Sequence, residues 1–415
     1  MTLRRPLTRA AAALAGALAL TASLAVLPAS AAPKAVPPGR AAATAADDGL
    51  TVMTRNLYLG ADIGRPLRGV AGTTGLAALL GLGNASAAMW DVVESTDFPA
   101  RSRLLAREIA QLRPDVVGLQ EVAWWRTGPP SFLGGFPPHL GDPFALDSVQ
   151  TVHDFLDTLE GDLAALGVPY EVVSEQVQSD VEGPAFVGNP LADPAAAATA
   201  RDYRLTMRDV MLRRTGSEWS VADAGGEQYA ARLDLSPLGV PYAFVRGYNW
   251  ADLTHGGKTV RVVNTHLESQ FSYLAALQAR ELVSTGHASV VDRPVVIVCD
   301  CNSDPLDSSQ KVVAPGVLDE PHDTAYRLLT QLAGFHDAWL QVAAAEQGWT
   351  SGLSETVDDT PADARRRLDH RIDLVLTRGL PPAASGVVTG THPANRTASG
   401  LWPSDHAGVV VRLRP

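Results

Sequence analysis

The sequence contains very little cysteine and no excess of positive charge. Only two cysteines, Cys299 and Cys301, occur among the 415 residues, in the order Cys-Asp-Cys. Two thiols at this spacing can build neither a disulfide framework nor a four-ligand zinc site, so a bound metal would need oxygen and imidazole ligands. Acidic residues outnumber basic ones by 45 to 34, which excludes a broadly basic nucleic-acid-binding surface.

The first 31 residues have the pattern of an export signal. Arginines at positions 4, 5 and 9 precede an Ala/Leu run over residues 10–27 and the small residues 29–31. We expect cleavage after Ala31 and secretion of the mature protein. A membrane anchor is the alternative, but the run is mostly alanine and ends at a cleavage-type site. No later window is expected to cross a bilayer, and residues 32–48 are expected to form a disordered leader.

Residues 49–415 show no internal repeat and no linker, which predicts one domain. Apolar residues at helical spacing predict helices over 104–112, 155–166 and 274–283. A Gly-Gly pair at 256–257 predicts a hairpin turn. Short apolar segments bounded by polar or turn residues predict strands at 50–56, 116–120, 170–173, 210–212, 260–264, 295–298, 372–376 and 409–413. The pattern favours mixed α/β sheets flanked by helices.

Polar side chains occur where these predicted strands end or begin. Glu121 follows the strand at 116–120, for example, and Asp300 follows the strand at 295–298. Hydrolysis of a phosphodiester needs carboxylates for a hard cation, a base for water, amides for phosphoryl oxygens and an imidazole for developing charge. All of these groups are present at the strand ends, at Asn56, Glu121, Asn264, His266, Asp300, Asn302, Asp405 and His406.

The ordered motifs resemble the endonuclease/exonuclease/phosphatase superfamily of metal-dependent phosphoesterases, which includes the DNase I-like nucleases and the bacterial sphingomyelinases. The resemblance spans residues 51–413 and rests on six segments that together are specific, at 54–56, 119–121, 264–267, 300–305, 371–373 and 404–406. It implies a four-layer α/β/β/α sandwich of two mixed sheets flanked by helices, and the activity of a phosphodiesterase.

The resemblance also implies a metal site. Glu121 is the expected ligand, Asn56 would orient Glu121 or touch the metal, and Asp405 would complete the metal or water shell. Some family members carry an acidic residue where this chain has Tyr58, so we predict one essential divalent cation. Mg²⁺ is the expected ion, with Mn²⁺ or Ca²⁺ as substitutes.

The same resemblance assigns roles in water attack. Asp300 and Asn302 would position and activate water and donate to the phosphate. His406 would be the general base, oriented by Asp373, and His266 would stabilise the phosphate or act as an acid. Asp209 is either a further site residue or only the start of a strand.

Cys299 and Cys301 depart from the family pattern, which usually has glycine before this aspartate and an apolar residue after it. If Asp300 points into the site, strand alternation turns both thiols to the opposite face. We therefore expect two small, free side chains buried in a core.

Three insertions, at 60–99, 123–148 and 174–202, are expected to form loops around the site. We predict substrate contacts from Asn264, Trp124, Trp125 and Asp209, with the tryptophans touching a lipid interface or a quaternary ammonium group. A monomer that hydrolyses a phospholipid-type or small head-group phosphodiester, with transient contact to a membrane surface, is favoured. The alternatives are a DNase I-like nuclease acting on nucleic acid, a phosphomonoesterase and an inactive binding scaffold.

Overall fold

A computed structural model describes residues 48–70, 72–133, 145–235, 242–314 and 316–415. The predicted export signal and nearly all of the predicted leader therefore lie outside the described residues. The strands are β1 (Leu50–Asn56), β2 (Val116–Gly128), β3 (Gln150–Asp154), β4 (Tyr170–Ala185), β5 (Arg201–Arg214), β6 (Ser220–Gln228), β7 (Leu233–Leu235), β8 (Tyr242–Phe244), β9 (Gly247–His255), β10 (Lys258–His266), β11 (Val295–Asp300), β12 (Gln310–Ala314), β13 (Val317–Pro321), β14 (His336–Asp337), β15 (Asp373–Arg378), β16 (Ser385–Thr389) and β17 (Gly408–Leu413).

Helices separate these strands along the chain. They are α1 (Arg65–Gly69), α2 (Gly75–Ser95), α3 (Phe98–Leu112), α4 (Phe155–Ala165), α5 (Pro194–Thr199), α6 (Ser272–Leu282), α7 (Thr324–Arg327), a π-helical turn (Leu328–Leu332), α8 (Ala338–Ala343) and α9 (Pro361–Arg367). The three predicted helices correspond to α3, α4 and α6.

Most of the strands form two mixed sheets. The first has the order β16-β17-β1-β2-β5-β4, with β3 paired to β2, and the second has the order β14-β15-β11-β10-β9-β6. In each sheet one parallel pair, β1 with β2 or β10 with β11, lies beside antiparallel neighbours. The hairpin predicted at Gly256-Gly257 joins β9 to β10.

The two sheets pack face to face. Their inner faces share one apolar core of mainly β-branched side chains, including Val52, Val116, Val262, Val296, Val375 and Val411. The outer face of the first sheet is covered by α2, α3 and α4, and that of the second by α6, α7 and the π-helical turn. This is the predicted four-layer α/β/β/α sandwich.

Local sequence signals set the ends of the outer helices. Asp97 accepts a hydrogen bond from the backbone of Ala100 at the start of α3, and Asp154 accepts one from Leu156 at the start of α4. Arg113 adopts a left-handed conformation just after α3, immediately before Pro114, which cannot continue a helix.

The described parts of the three insertions are more regular than the predicted loops. The long helix α2 fills just over half of the segment 60–99, residues 123–128 and 174–185 extend β2 and β4, and residues 201–202 begin β5. Residues 134–144 of the second insertion lie outside the described residues. The expectation that no later window could span a bilayer is also wrong, because α2 is long and apolar enough by composition. One face of α2 nevertheless packs onto the protein, through Leu79, Leu82, Met89 and Val93.

Cys299 and Cys301 are buried in the core beneath α6, as expected, but they are not free. Their sulfur atoms form a disulfide bond. Strand alternation explains the pairing, since both side chains leave the same face of the chain while Asp300 points the other way. The disulfide therefore lies on the face opposite to the Asp300 carboxylate.

Candidate active site

Neighbouring strands place the predicted polar groups side by side. His266 ends β10, Asp300 ends β11 and Asp373 begins β15, and the register pairs His266 with Asp300 and Asp300 with Asp373. Adjacent strands are about 4.8 Å apart, so three residues far apart in sequence become neighbours. Parallel pairing of β10 with β11 is what brings their carboxyl ends to one edge.

The first sheet contributes its own polar residues to the same place. The Nδ2 of Asn56, at the end of β1, donates to Oδ2 of Asp300 at 3.0 Å. Asn56 therefore orients Asp300 across the two sheets rather than Glu121, and its predicted contact with a metal stays a prediction. Its Oδ1 accepts the backbone N–H of Tyr58 at 2.8 Å, which fixes the amide in one orientation.

A β-bulge presents Glu121 to the site. The register of β2 with β5 shifts between Leu119 and Val122, and Glu121 has φ 55°. Bulges re-aim side chains, and left-handed backbone at a non-glycine residue costs free energy that the surrounding structure must offset. The Glu121 carboxylate accepts the N–H of Leu59 at 2.9 Å and lines the central cavity.

Asp209 lies on β5 opposite this bulge. Its buried carboxylate accepts the side-chain amide of Gln178 at 2.6 Å. Burial raises the pKa of Asp209 well above its usual value. Asp209 lies within β5 rather than at the start of a strand, and its role as a site residue stays a prediction.

His406 and Asp373 form a hydrogen-bonded pair. The Nδ1 of His406 lies 2.8 Å from Oδ2 of Asp373, and its Nε2 lies 3.9 Å from Oδ2 of Asp300. Burial would lower the pKa of His406, but Asp373, Asp405 and Asp300 together raise it well above 6.5. A carboxylate on Nδ1 leaves Nε2 facing the site, which is the arrangement of an oriented general base.

His266 has the opposite electrostatic environment. Its Nδ1 lies 2.9 Å from a guanidinium nitrogen of Arg246, and its Nε2 lies 3.4 Å from Oδ2 of Asp300. Burial, together with the charges of Arg246 and His406, lowers the pKa of His266 well below 6.5. Because a guanidinium only donates, Nδ1 must accept and the ring proton is on Nε2, directed at the site.

Glu121 and Asp300 place carboxylate oxygens where they suit a divalent cation. These oxygens lie within 4.8 Å of each other and of a ring nitrogen of His266. Burial, followed by neighbouring acidic groups, raises the pKa of Asp300 to about 7 and that of Asp405 to about 6. Such crowding shows an excess of negative charge that a cation would neutralise. Glu121 and Asp300 would hold a divalent cation, and Asp405 lies beside them. The bound cation would stabilise the negative charge on a phosphoryl oxygen.

Two predicted substrate contacts are wrong. Asn264 is fully buried between the sheets, where it accepts from Gln120 at 2.6 Å and donates to the carbonyl of Leu119 at 3.1 Å. Trp125 lies on β2 rather than on a loop, and it packs edge-on against Trp90 in the core at 1% exposure. Both side chains stabilise the fold and neither reaches the cavity.

Trp124 is also on β2, not on an aromatic loop. It is half-buried, its Nε1 donates to the hydroxyl of Thr151, and Arg126 lies over its ring at 4.0 Å. Asn302 has φ 43° and donates its side-chain amide to the carbonyl of Leu267 at 2.9 Å. The roles of Asn302 in water activation and phosphate binding stay predictions.

Sequence reasoning missed Arg246 and the cavity that it lines. The cavity has a volume of about 610 Å³ and opens directly beside Glu121 and Asp405. Its lining is mixed, and the apolar part of the walls is formed by Leu59, Ile63, Leu67, Met207, Phe244 and Phe271. Arg246 precedes β9 in a segment without a motif, so no sequence signal distinguished it from the other arginines.

A hydrogen-bonded His–Asp pair, a convergent carboxylate group and a four-layer sandwich define a metal-dependent phosphoric ester hydrolase. The model of the Endonuclease/Exonuclease/phosphatase family matches residues 91–406, and the chain belongs to this family. The match includes every predicted catalytic residue and, apart from Asn56, every predicted metal ligand.

Solved structures with a similar fold include an endonuclease/exonuclease/phosphatase family protein from Leptotrichia buccalis, at 12% identity over 88% of this chain and 99% of that one, with a TM-score of 0.48. A mannosyl-6-phosphatase from Bacteroides thetaiotaomicron matches at 14% identity over 88% and 99%, with a TM-score of 0.45. An endonuclease/exonuclease/phosphatase from Beutenbergia cavernae matches at 19% identity over 88% and 71%, with a TM-score of 0.47. No curated protein matches this chain in sequence.

Proposed function

We propose that the protein is an exported, Mg²⁺-dependent phosphodiesterase that acts on a phospholipid-type or small head-group phosphodiester. The observation that carries the proposal is the cavity of about 610 Å³, whose apolar walls adjoin Glu121 and Asp405. A substrate with its phosphate at these carboxylates would place an apolar or small organic substituent in the cavity. Burial of that substituent would supply binding free energy without positive charge.

The charge of the cavity supports a small substrate over a nucleic acid. Five acidic residues but only two arginines line it, namely Asp62, Glu121, Glu268, Glu355 and Asp405 against Arg68 and Arg246. Both arginines have acidic partners, since Arg68 is paired with Asp62 and Nε of Arg246 lies 3.8 Å from Oε2 of Glu268. Tight binding of a polyanion needs many unpaired basic groups along its backbone.

The hydrolytic step uses groups of the chain itself. The Asp373 carboxylate holds His406 with Nε2 toward the site, where it takes the proton from an attacking water. As the water oxygen bonds to phosphorus, the P–O bond to the leaving alkoxide breaks, and the alkoxide takes a proton from solvent. Asp300 lies between His406 and His266 and orients that water, while Nε2–H of His266 donates to a phosphoryl oxygen. Mg²⁺ suits the carboxylate oxygens of Glu121 and Asp300.

The substrate class can be tested with one panel in Mg²⁺ buffer. The panel contains sphingomyelin, phosphatidylcholine, phosphatidylethanolamine, their deacylated glycerophosphodiesters, an inositol phosphate, p-nitrophenyl phosphate, plasmid DNA and RNA. Release of a lipid or organic head group at the highest kcat/KM is expected. Phe271→Ala should raise KM for the lipid substrates, and Trp124→Ala, outside the cavity, is the matched control.

Rapid nicking of plasmid DNA without head-group release would contradict the proposal and favour a nuclease. Preference for p-nitrophenyl phosphate over every diester would indicate a phosphomonoesterase. Absence of phosphoryl release from the whole panel by the folded protein would favour a binding scaffold.

Export is supported by the pattern of the first 31 residues and by the disulfide between Cys299 and Cys301, a bond typical of oxidising compartments. Protein collected from the culture medium is expected to begin at Ala32. Its two cysteines should resist alkylation in denaturant until a reductant is added. Protein retained in the cell with an intact N-terminus, or two thiols that react without reductant, would contradict export.

A further inference from the structure

A second acidic group lies outside the active site. Asp147, Glu182 and Asp202 each place one carboxylate oxygen so that the three atoms lie within 4.8 Å of one another. Asp202 pairs with Gly128 on β2, which is roughly 23 Å along that strand from Glu121 at about 3.3 Å per residue. The group is therefore separate from the catalytic carboxylates.

Asp202 is the most constrained member of this group. It is fully buried, and its Oδ2 accepts the backbone N–H of Ser131 at 2.7 Å. Its Oδ1 is also buried and has no hydrogen-bond donor within the part of the chain that the structure describes. A buried carboxylate oxygen without a donor is destabilising unless a ligand satisfies it.

The protein supplies little positive charge to offset the three carboxylates. Arg204 and Arg126 are the basic side chains whose charges reach Glu182, and both are paired with Asp180. Glu182 also accepts the backbone N–H and the hydroxyl of Ser148, which are neutral donors. Burial, and then the charges of Glu182 and Asp147, raise the pKa of Asp202 to about 6. A further cation would therefore be needed to stabilise all three carboxylates in their ionised form.

We propose that Asp147, Glu182 and Asp202 bind a Ca²⁺ ion distinct from the catalytic cation. Ca²⁺ takes six to eight oxygen ligands in flexible geometry, whereas Mg²⁺ demands a regular octahedron. The hydroxyl of Ser131, 3.2 Å from Oδ1 of Asp147, adds a further oxygen. Asp147 is exposed, which gives the ion a path from solvent and room for water ligands.

The ion would join three segments of the chain. Asp147 precedes β3, Glu182 lies on β4 and Asp202 lies near the start of β5. Its role is structural, because a ligand that binds only the folded chain raises the free energy of unfolding. This inference does not depend on the identity of the substrate.

The test compares chelator-stripped wild-type protein with Asp202→Asn, Glu121→Gln and the control Glu175→Gln, which changes an exposed residue on the same strand as Glu182. Each is titrated with CaCl₂ by calorimetry, and Tm is measured with 1 mM Ca²⁺ or EDTA. Wild type, Glu121→Gln and Glu175→Gln should bind Ca²⁺ at this site and gain about 3 °C in Tm. Asp202→Asn should lose both the binding event and the gain in Tm.

Circular dichroism of Asp202→Asn in EDTA establishes that it is folded, and Glu182→Gln serves as a second variant if it is not. The proposal is overturned if stripped Glu121→Gln binds no Ca²⁺ and gains no stability from it. It is also overturned if Asp202→Asn and Glu182→Gln keep the full Ca²⁺ response. A wild-type Tm that rises on acidification to pH 5 but ignores Ca²⁺ would show that a proton, not a metal, neutralises the group.

Discussion

The imidazole Nδ1–H of His406 donates to Oδ2 of Asp373 at 2.8 Å, and the two residues belong to segments of different sheets. His406 precedes β17 of the first sheet, whereas Asp373 begins β15 of the second. The orientation of the base therefore depends on how the sheets pack. A carboxylate in this position also favours the imidazolium that forms when the base accepts a proton.

Loss of this base should slow hydrolysis without unfolding the protein. His406→Ala is expected to lower kcat by about 10²–10⁴, the range for a lost general base. Steady-state kinetics with a chromogenic phosphodiester, together with circular dichroism, would measure both effects. His336→Ala, at an exposed histidine, is the control. A folded His406→Ala with unchanged kcat would remove the residue from the mechanism.

Arg246 should act through His266. Arg246→Leu removes the donor to Nδ1, so the ring proton is no longer fixed on Nε2, and kcat should fall roughly tenfold or more. The pKa of His266 should rise when the neighbouring positive charge is removed, and histidine NMR would detect the change in pKa and tautomer. Arg280→Leu, at an exposed position on α6, should change neither. If the NMR signals of His266 in Arg246→Leu showed the same pKa and tautomer as in the wild type, Arg246 would not act through His266.

Removal of divalent cations should abolish activity. Excess EDTA is expected to reduce kcat/KM by at least about 10²-fold, since the crowded carboxylates of Glu121, Asp300 and Asp405 need a counter-charge. Mg²⁺ should restore the rate after the chelator is dialysed away, and Mn²⁺ or Ca²⁺ should be tested in parallel. Full activity in EDTA would contradict a metal-dependent mechanism.

The metal-free protein should become more stable as the pH falls from 7.5 to 5.5. The pKa values of Asp202, Asp300 and Asp405 are raised to about 6, 7 and 6. His406, whose pKa is also raised, adds to this effect, and His266, whose pKa is lowered, opposes it. The folded state therefore binds more protons than the unfolded state in this window, so the free energy of unfolding decreases as pH increases. Thermal melts in EDTA would show a higher Tm at pH 5.5. A Tm that rises with pH would contradict these shifts.

Many of the strands and helices could be predicted because they follow from the pattern of apolar residues within short segments. The run at 50–56 is apolar and bounded by turns, and β1 has these bounds in the structure. Leu104, Leu105 and Ile109 recur at helical spacing, and they form the buried face of α3. Strand ends carry the chemistry in such sandwiches, which explains why His266, Asp300, Asp373 and His406 were found together.

Other features depend on contacts that no single segment encodes. Trp125 suggested a lipid-facing loop, but β2 continues through it because β5 provides a long pairing partner. Arg246 was missed because its role depends on the imidazole of His266, which lies 20 residues later at the end of β10. The disulfide was missed because the Cys-Asp-Cys spacing is equally compatible with free and bonded thiols.

The hydrogen bond between Asn56 and Asp300 joins residues 244 positions apart in the chain. Contacts of such high sequence separation form only after long loops have closed, which slows folding and makes the catalytic geometry a late product of it. The recovery of enzymatic rate after dilution from denaturant would therefore measure when both sheets have paired and packed together. A collapsed chain with native-like secondary structure but without this contact would show no activity in such an assay.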